Sequence, residues 1–258
     1  MHAAPLPLIP ADLLLTAYRS GIFPMADSRE DEDVYWVEPR ERAVIPLETF
    51  RPSRSLAKAI RQDRFQVTCN ADFAAVIEAC AAPRPGHPET WINRRIAASY
   101  HALHLAGYAH SIECWQDGRL AGGLYGVGFD RVFCGESMFS RATDASKVAL
   151  AWLVALLRSG GYRLLDCQFM TGHLAALGAV AISREDYLGR LAAAMAAGPA
   201  PALPDVYASF CAGAASLGEG EGACGAGVPG DAAGAAELAG AGPDSPGKLI
   251  LQSLTQTS

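Results

Sequence analysis

Alternation of apolar and polar side chains predicts three consecutive strands in the middle of the chain. Over residues 110–115, even-numbered side chains face one way and odd-numbered side chains the other, as in a half-buried strand. Asp117 and Gly118 then give a two-residue hairpin signal, because both tolerate the positive φ values that such a turn needs. Two further strands are predicted over residues 119–127 and 132–139. The segment is therefore predicted to be a hairpin meander.

The second of these strands is rich in glycine. Gly122, Gly123 and Gly126 weaken a strand unless a bulge, or the close approach of another backbone or a ligand, needs the space. We therefore expect one of these features in this strand.

An apolar run after the meander predicts a buried helix. The run 148–157 is too long for a typical strand and too short to cross a bilayer. A Gly-Gly pair that follows it is a typical end of a helix. The next strand, over residues 162–169, places Asp166 and Gln168 on one face. The order strand-strand-strand-helix-strand is the core order of the N-acetyltransferase (GNAT) superfold. The sequence therefore predicts an α+β protein with a GNAT-like mixed sheet.

Shorter patterns predict the elements around this core. They are a helix Ala11–Arg19, a strand Ala43–Leu47, a helix capped by Ser53, a strand Phe65–Cys69, a helix capped by Asn70, a helix starting at Thr90 and a helix Arg184–Met195. We expect residues 1–46 to form a small N-terminal domain, residues 47–197 the GNAT-like domain and residues 198–258 a Gly/Ala-rich tail.

The composition of the tail argues against order. From Ala196 to Gly247 the chain is mostly Gly, Ala and Pro, which cannot bury enough apolar area to fold. The final Lys248–Leu254 regains alternation, and we expect it to dock back as a strand or a short helix.

The charge balance limits how the chain can bind nucleic acid. Lys and Arg number 21 and Asp and Glu number 27, which gives a net charge of −6, so a nucleic-acid partner needs a local basic patch. One helix offers such a patch, since Arg54, Lys58 and Arg61 share a face while Leu56 and Ile60 lie opposite. The stripe is either a solvated charged face or a docking surface for phosphates.

Cysteine and histidine positions favour a reducing compartment and no metal. The seven cysteines form no CxxC pair, which argues against a zinc ribbon or a disulfide framework. The first ten residues lack the basic start and apolar core of a signal peptide, so a cytoplasmic location is expected. His101 and His104 have no third ligand near them in sequence.

Three chemistries compete on the residues alone. A CoA-dependent acetyltransferase needs a glycine-containing loop before the buried helix, whereas residues 140–146 lack glycine and place Asp144 where an anion would bind. A thiol nucleophile at Cys167 with His173 as base is conceivable, yet Cys167 alternates away from Asp166. A non-catalytic RNA-binding module explains the basic stripe and leaves a carboxylate on a buried strand unexplained.

A resemblance to a known family adds a fourth hypothesis. The chain resembles the bacterial leucyl/phenylalanyl-tRNA–protein transferases, in order, over roughly residues 10 to 195. The segments that carry the resemblance are LLTAYRSGIFPM (Leu14–Met25), SRSLAKAI (Ser53–Ile60), TWI (Thr90–Ile92), AHSIECW (Ala109–Trp115), GGLYGV (Gly122–Val127), FCGESMFSR (Phe133–Arg141), ASKVAL (Ala145–Leu150) and DCQ (Asp166–Gln168).

The resemblance implies transfer of Leu, Phe or Met from aminoacyl-tRNA to the α-amino group of proteins that begin with Arg or Lys. The product is then degraded through the N-end-rule pathway. Because the donor is an activated ester, the reaction needs neither a metal nor another cofactor. The resemblance further implies a monomer that does not bind membranes.

Site residues also follow from the resemblance. Asp166 and Gln168 correspond to the pair that relays the amine proton. The alternative role for the carboxylate of Asp166 is to bind the amine without accepting its proton. Glu136 corresponds to a glutamate that orients the substrate amino group. Trp36 and Trp91 correspond to tryptophans near the terminal adenosine, with a lid over the core as the alternative for Trp36.

The remaining implied residues bind the aminoacyl side chain and the tRNA. The basic stripe, Arg54, Lys58 and Arg61, matches the cluster that contacts tRNA. An apolar pocket suits Leu and Phe, which are unbranched at Cβ, better than Val or Ile. The pocket residues are Leu124, Phe133, Met138, Leu150, Leu153, Leu157 and Leu165.

Overall fold

The structure is a computed structural model that describes residues 7–83, 89–216 and 245–255. Within these residues the strands are β1 (Phe23–Met25), β2 (Tyr35–Val37), β3 (Glu41–Val44), β4 (Gln66–Cys69), β5 (Ala109–Gln116), β6 (Arg119–Phe129), β7 (Val132–Ser140), β8 (Leu164–Gln168) and β9 (Val180–Ser183). The helices are α1 (Ala11–Arg19), α2 (Arg54–Arg61), α3 (Phe73–Ala81), α4 (Arg94–Leu105), α5 (Ala145–Ser159), α6 (Gly172–Ala176), α7 (Arg184–Ala196), α8 (Leu203–Ser216) and α9 (Pro246–Thr255).

A seven-stranded mixed sheet positions the site. Its order is β4-β5-β6-β7-β8-β3-β9, while β1 and β2 form a separate antiparallel pair. β5, β6 and β7 pair as the predicted meander, and α5 then crosses over to β8, which is parallel to β7. The predicted α+β class and the GNAT-like strand order are confirmed.

Helices cover both faces of the sheet and divide the core in two. The first apolar cluster contains α5 and side chains of α2, α8 and α9, and the second contains side chains of α1, α3, α4 and α7. Because neighbouring strand residues point to opposite faces, Leu165 belongs to the first cluster and Leu164 to the second. Asp166 follows on the same face as Leu164, as its contacts below show.

Glycine permits a bulge in β7. Tyr125 pairs with Ser137 and Gly126 pairs with Gly135, so Glu136 is the extra residue between them. A Cβ atom on Gly126 would lie 2.3 Å from a backbone oxygen of β7. The expected close approach of another backbone to the glycine-rich strand is confirmed at Gly126.

Two helices begin later than predicted. Asn93, rather than Thr90, caps α4 by accepting a hydrogen bond from the backbone N–H three residues on. Asp72 caps α3 in the same way, whereas Asn70 has φ of 59° and hydrogen-bonds to the backbone of Ser111. Both corrections have one cause, since several nearby polar residues are good caps and only tertiary contacts choose among them.

The sheet also recruits a strand from the N-terminal region. β3 lies between β8 and β9 and pairs antiparallel with both. The predicted boundary at residue 46 leaves this strand outside the main sheet. β3 carries Arg42 next to the strand that ends in the candidate site.

Two C-terminal helices pack against the core. The prediction that residues 196–247 do not order themselves is wrong for α8, whose buried side chains are Leu203, Val206, Tyr207 and Cys211. The expected docking of the last segment takes the form of the helix α9, with Ile250, Leu251 and Leu254 buried. Residues 217–244 and 256–258 of the predicted tail lie outside the described residues.

None of the helices in the described ranges is both long enough and apolar enough to cross a membrane.

Candidate active site

The candidate site lies where two parallel strands separate. Backbone pairing between β7 and β8 ends at Cys134 and Asp166. Two residues further along each strand, Glu136 and Gln168 meet across the gap, where Nε2 of Gln168 donates to Oε1 of Glu136 at 2.8 Å. The structure thus brings together the three predicted catalytic residues.

Two tyrosines complete the surroundings of the Glu136 carboxyl. The Tyr18 hydroxyl donates to Oε1 at 2.7 Å and the Tyr100 hydroxyl donates to Oε2 at 3.2 Å. The two hydroxyls also hydrogen-bond to each other. α1 supplies Tyr18 and α4 supplies Tyr100, so each helix places one hydroxyl within the second apolar cluster.

Counting protons shows why this carboxyl holds a proton readily. Three oxygen-to-oxygen contacts join Tyr18, Tyr100 and Glu136, but the two hydroxyls supply only two protons. A third proton, on Glu136, turns all three contacts into hydrogen bonds. Burial raises the pKa of Glu136 to about 7, with the charge of Asp166 adding to the shift, while bonds from Tyr18, Gln168 and Tyr100 oppose it.

The other carboxyl of the site is fully engaged within the protein. Oδ2 of Asp166 accepts from Nη2 of Arg42 at 2.7 Å and from the Tyr187 hydroxyl at 3.0 Å. Oδ1 accepts from Nε of Arg42 at 2.9 Å and from the backbone N–H of Gln168 at 2.8 Å. The side chains of Arg42 and Asp166 are 2% and 0% exposed. Neither oxygen of Asp166 is therefore open to a substrate amine.

Sequence reasoning missed four residues of this network: Arg42, Tyr18, Tyr100 and Tyr187. Tyr18 and Tyr100 lie on the buried faces of α1 and α4. A phenolic hydroxyl on such a face needs a polar partner when it is buried, and that requirement is the signal that points to a buried site.

The seven predicted pocket residues lie together on the α5 side of the sheet. Six of them are buried members of the first apolar cluster, and Met138 packs against that cluster. Met138 is half-buried and sits on β7, two residues beyond Glu136. The apolar cluster and the carboxyl network therefore adjoin the same gap from opposite faces of the sheet.

The two predicted adenosine-binding tryptophans flank β1. Trp36 lies on β2 opposite Pro24 and is 41% exposed. Trp91 is half-buried, and its carbonyl accepts a hydrogen bond from the backbone N–H that directly follows β1. The ring of Phe23, also on β1, packs edge-on against the ring of Phe169, the residue directly after β8. The β1-β2 pair is thus adjacent to the end of β8.

The basic stripe has the predicted geometry. Arg54, Lys58 and Arg61 are exposed on α2, while Leu56 and Ile60 are buried beneath them. No ion pair within the described part of the chain involves the three cations. Their charge is therefore available to a partner.

The competing chemistries find less support. Burial raises the pKa of the Cys167 thiol strongly, and no hydrogen bond joins Cys167 to the exposed His173 within the described residues. At the start of α5, the carboxylate of Asp144 forms an ion pair with Lys147, so this helix terminus already holds an anion of the protein. His104 stacks on Phe73 with ring centroids 4.4 Å apart.

The arrangement offers no evident metal site. Among residues 7–83, 89–216 and 245–255, no group of three His, Cys, Asp or Glu side chains is close enough to hold a metal ion.

Fold and site together define a class of protein. A mixed sheet built as a meander, a crossover helix and a parallel strand, with buried carboxyls where the parallel strands separate, is that of a GNAT-like domain. Comparisons with known proteins identify the family. Residues 9–40 match the family described as leucyl/phenylalanyl-tRNA protein transferase N-terminal domain. Residues 44–192 match the family described as leucyl/phenylalanyl-tRNA protein transferase.

Curated relatives carry the same name. A leucyl/phenylalanyl-tRNA–protein transferase of Novosphingobium aromaticivorans is 60% identical over 259 residues, which cover 97% of this chain and 97% of the relative. Proteins of that name from Rhizorhabdus wittichii and Zymomonas mobilis are each 61% identical, over 72% and 73% of this chain and 75% and 70% of their own lengths. The chain belongs to the leucyl/phenylalanyl-tRNA–protein transferase family, which confirms the predicted resemblance.

Proposed function

We propose that the protein transfers Leu, Phe or Met from aminoacyl-tRNA to the α-amino group of proteins that begin with Arg or Lys. The observation that carries this proposal is the buried carboxyl of Glu136, which lies at a gap beside a large apolar cluster and is contacted by Tyr18, Tyr100 and Gln168. Burial raises the pKa of this carboxyl to about 7. The family to which the protein belongs supports an aminoacyl-tRNA as donor and a protein as acceptor.

The chemistry requires one proton to leave the acceptor before attack. Ionised Glu136 takes a proton from the α-ammonium group, whose pKa is roughly 7.7–8.0, and Tyr18 and Tyr100 share that proton. The neutral nitrogen attacks the ester carbonyl, so a C–N bond forms and the C–O bond to the ribose breaks. A second N–H proton goes to the ribose oxygen, which leaves as the hydroxyl of free tRNA. In this proposal Glu136 takes the proton-relay role that the resemblance implied for the pair Asp166 and Gln168, for which binding of the amine by Asp166 was the alternative.

The apolar cluster accommodates the side chain of the transferred amino acid. Six of its seven proposed pocket residues are buried and Met138 alone reaches the surface. Methionine is unbranched and adapts its shape readily, so Met138 forms the entrance and moves aside for Leu, Phe or Met.

The tRNA lies against two surfaces. Trp36 has a large exposed area and stacks on the terminal adenine together with Trp91, since base stacking on an aromatic ring contributes about 1–3 kcal/mol. The basic stripe on α2 binds the phosphate backbone of the acceptor arm. The protein acts in the cytoplasm as a monomer and without a cofactor, and it supplies substrates to the N-end-rule pathway.

The activity is tested with Leu-tRNA labelled in its amino acid. We expect label to enter peptides that begin with Arg or Lys and not the same Arg peptide with an acetylated N-terminus. The alternative is a GNAT-fold acyltransferase with another donor, such as acetyl-CoA. No transfer of leucine, together with acetyl transfer from acetyl-CoA to the peptides, would establish that alternative.

Replacement of the basic stripe should affect whole tRNA selectively. The variant Arg54→Ala/Lys58→Ala/Arg61→Ala is expected to use Leu-tRNA more weakly and with a shallower salt dependence, while its use of leucyl-adenosine stays near wild type. A matched control removes three exposed arginines from other surfaces, in the variant Arg119→Ala/Arg163→Ala/Arg190→Ala. Equal losses in the two variants, or equal losses on both donors, would show that the stripe has no role in tRNA binding.

A further inference from the structure

Arg42 is a buried cation with an unusual number of partners. Its guanidinium forks onto Asp166 through Nε and Nη2, and Nη1 donates to the carbonyl of Gly21 at 2.9 Å. The group lies over the rings of Phe23 and Tyr187, at 4.7 and 4.4 Å from their centroids. Among the described residues it is the only Lys or Arg side chain that is buried.

The carboxylate of Asp166 links Arg42 to Gln168 and Glu136. Oδ1 of Asp166 accepts the backbone N–H of Gln168, and Gln168 has φ of 63°, in the left-handed region that disfavours residues other than glycine. The Gln168 side chain then donates to Glu136. One chain of contacts therefore runs from Arg42 through Asp166 and Gln168 to the carboxyl of Glu136.

We propose that Arg42 is a positioning residue for the transfer reaction. Because it donates to both oxygens of Asp166, it fixes the strained end of β8. The side-chain amide of Gln168 then keeps its hydrogen bond to Glu136. Its bond to Gly21 holds the end of α1, the helix that supplies the first tyrosine to the same carboxyl. This role rests on the proposed function, because it acts on the reaction through Glu136.

The energetics of buried ions favour a role beyond stability. Desolvation offsets much of the attraction in a buried ion pair, and an apolar pair of similar volume often stabilises a fold equally well. Burial opposes the charge on Arg42, and the charge of Asp166 outweighs that effect, so the pKa of Arg42 lies above its ordinary value. What an apolar pair lacks is an acceptor for the Gln168 N–H and a donor for the Gly21 carbonyl.

Arg42→Lys tests positioning with the charge retained. Lysine is a point charge that cannot fork onto a carboxylate. We expect the maximal rate of leucine transfer to fall by about 10²-fold, with the acceptor KM changed by less than about threefold. The acid limb of the pH profile should move to higher pH, since the bond from Gln168 lowers the pKa of Glu136. Arg40→Lys, an exposed arginine two residues earlier, is the control and should match wild type.

A double variant separates positioning from folding. Arg42→Met and Asp166→Leu each leave a buried charge unpaired, so each single variant should melt well below wild type. Arg42→Met/Asp166→Leu removes both charges and should regain most of the lost melting temperature while transfer stays at least about tenfold slow.

Two results would overturn the role of Arg42. One is an Arg42→Lys variant with the rate and pH profile of wild type. The other is a double variant that is both stable and fully active, which would show that the pair serves only the fold. Either result requires that wild type transfers leucine, so a wild-type protein without transfer contradicts the proposed function instead.

Discussion

Truncation after Gly198 is expected to prevent cooperative folding. The truncated chain loses α8 and α9 and with them seven buried side chains of the first core cluster. Burying such a side chain contributes about 1.5–3 kcal/mol, so the gross loss is of the order of the whole free energy of unfolding, roughly 5–15 kcal/mol. The truncation also exposes the apolar faces of α2 and α5 that these helices cover.

Circular dichroism melting of a truncation series measures this loss. A chain that ends at Ser216 keeps α8 and, of the described helices, loses only α9, so we expect an intermediate melting temperature. Leu254→Ala is expected to cost about 2–5 kcal/mol, whereas Leu105→Ala, at a side chain 76% exposed, should be near neutral. A fragment 1–198 that melts cooperatively at the wild-type temperature would mean that the two helices are dispensable appendages.

The meander and its crossover helix were predictable because their signals are local. Asp117 and Gly118 adopt φ of 51° and 70°, as their residue types indicate for a tight hairpin. Apolar side chains all round α5 indicate a helix buried on every side, and most of its residues are buried. Asp166 and Gln168 share a face because strand periodicity fixes it.

The site network was not predictable because its contacts are long-range. Arg42 and Asp166 are 124 residues apart, and Tyr18 and Glu136 are 118 apart. An arginine in a short strand usually indicates a solvent-facing position, and only the placement of β3 beside β8 turns it inward. Sequence periodicity shows which face of a helix or strand is apolar, but it does not show which faces of different elements pack against each other.

The helix α8 was missed for a different reason. Averaging composition over residues 196–247 hides a 14-residue segment, Leu203–Ser216, in which bulky residues recur at helical spacing. Leu203, Val206 and Tyr207 lie at i, i+3 and i+4 and form its buried face. A shorter window would have separated this helix from the glycine-rich sequence after it.

Replacing Glu136 with Gln is expected to slow the chemical step by about 10²–10⁴-fold, the usual contribution of a general base. The fold should not suffer. With a pKa raised to about 7, folded Glu136 keeps a proton that the unfolded chain has lost above its ordinary pKa of 4.5, so this group's contribution to stability falls as pH rises from about 4.5 to 7. At pH 8 the neutral glutamine side chain avoids that cost, and the variant Glu136→Gln should melt no lower than wild type.

The pH profile gives the second part of the result. In wild type we expect kcat/KM for an Arg peptide to rise with pH through about 7, as Glu136 ionises, and then to level off, because above roughly 7.7–8.0 the α-amine is already neutral and needs no base. The pKa of Glu136 determines where this rise falls on the pH scale. The groups that face Glu136 and shift its pKa are Tyr18, Tyr100, Gln168 and Asp166. In Glu136→Gln the rise at about 7 should disappear, and kcat/KM should instead follow the fraction of free amine, which rises through roughly 7.7–8.0.

A change of acceptor then assigns the proton. An ionised Glu136 with an ammonium has the same net composition as a protonated Glu136 with a free amine, so the profile alone does not distinguish them. Hydroxylamine is already neutral at pH 7 and needs no base before attack, so Glu136→Gln should use it at close to the wild-type rate. Glu113→Gln is the matched control, because Glu113 is also buried and has a pKa raised by burial, yet it contacts Ser111 and Thr68 rather than the site. An equal loss with hydroxylamine and peptide would show that Glu136 acts on the aminoacyl donor rather than on the proton of the acceptor.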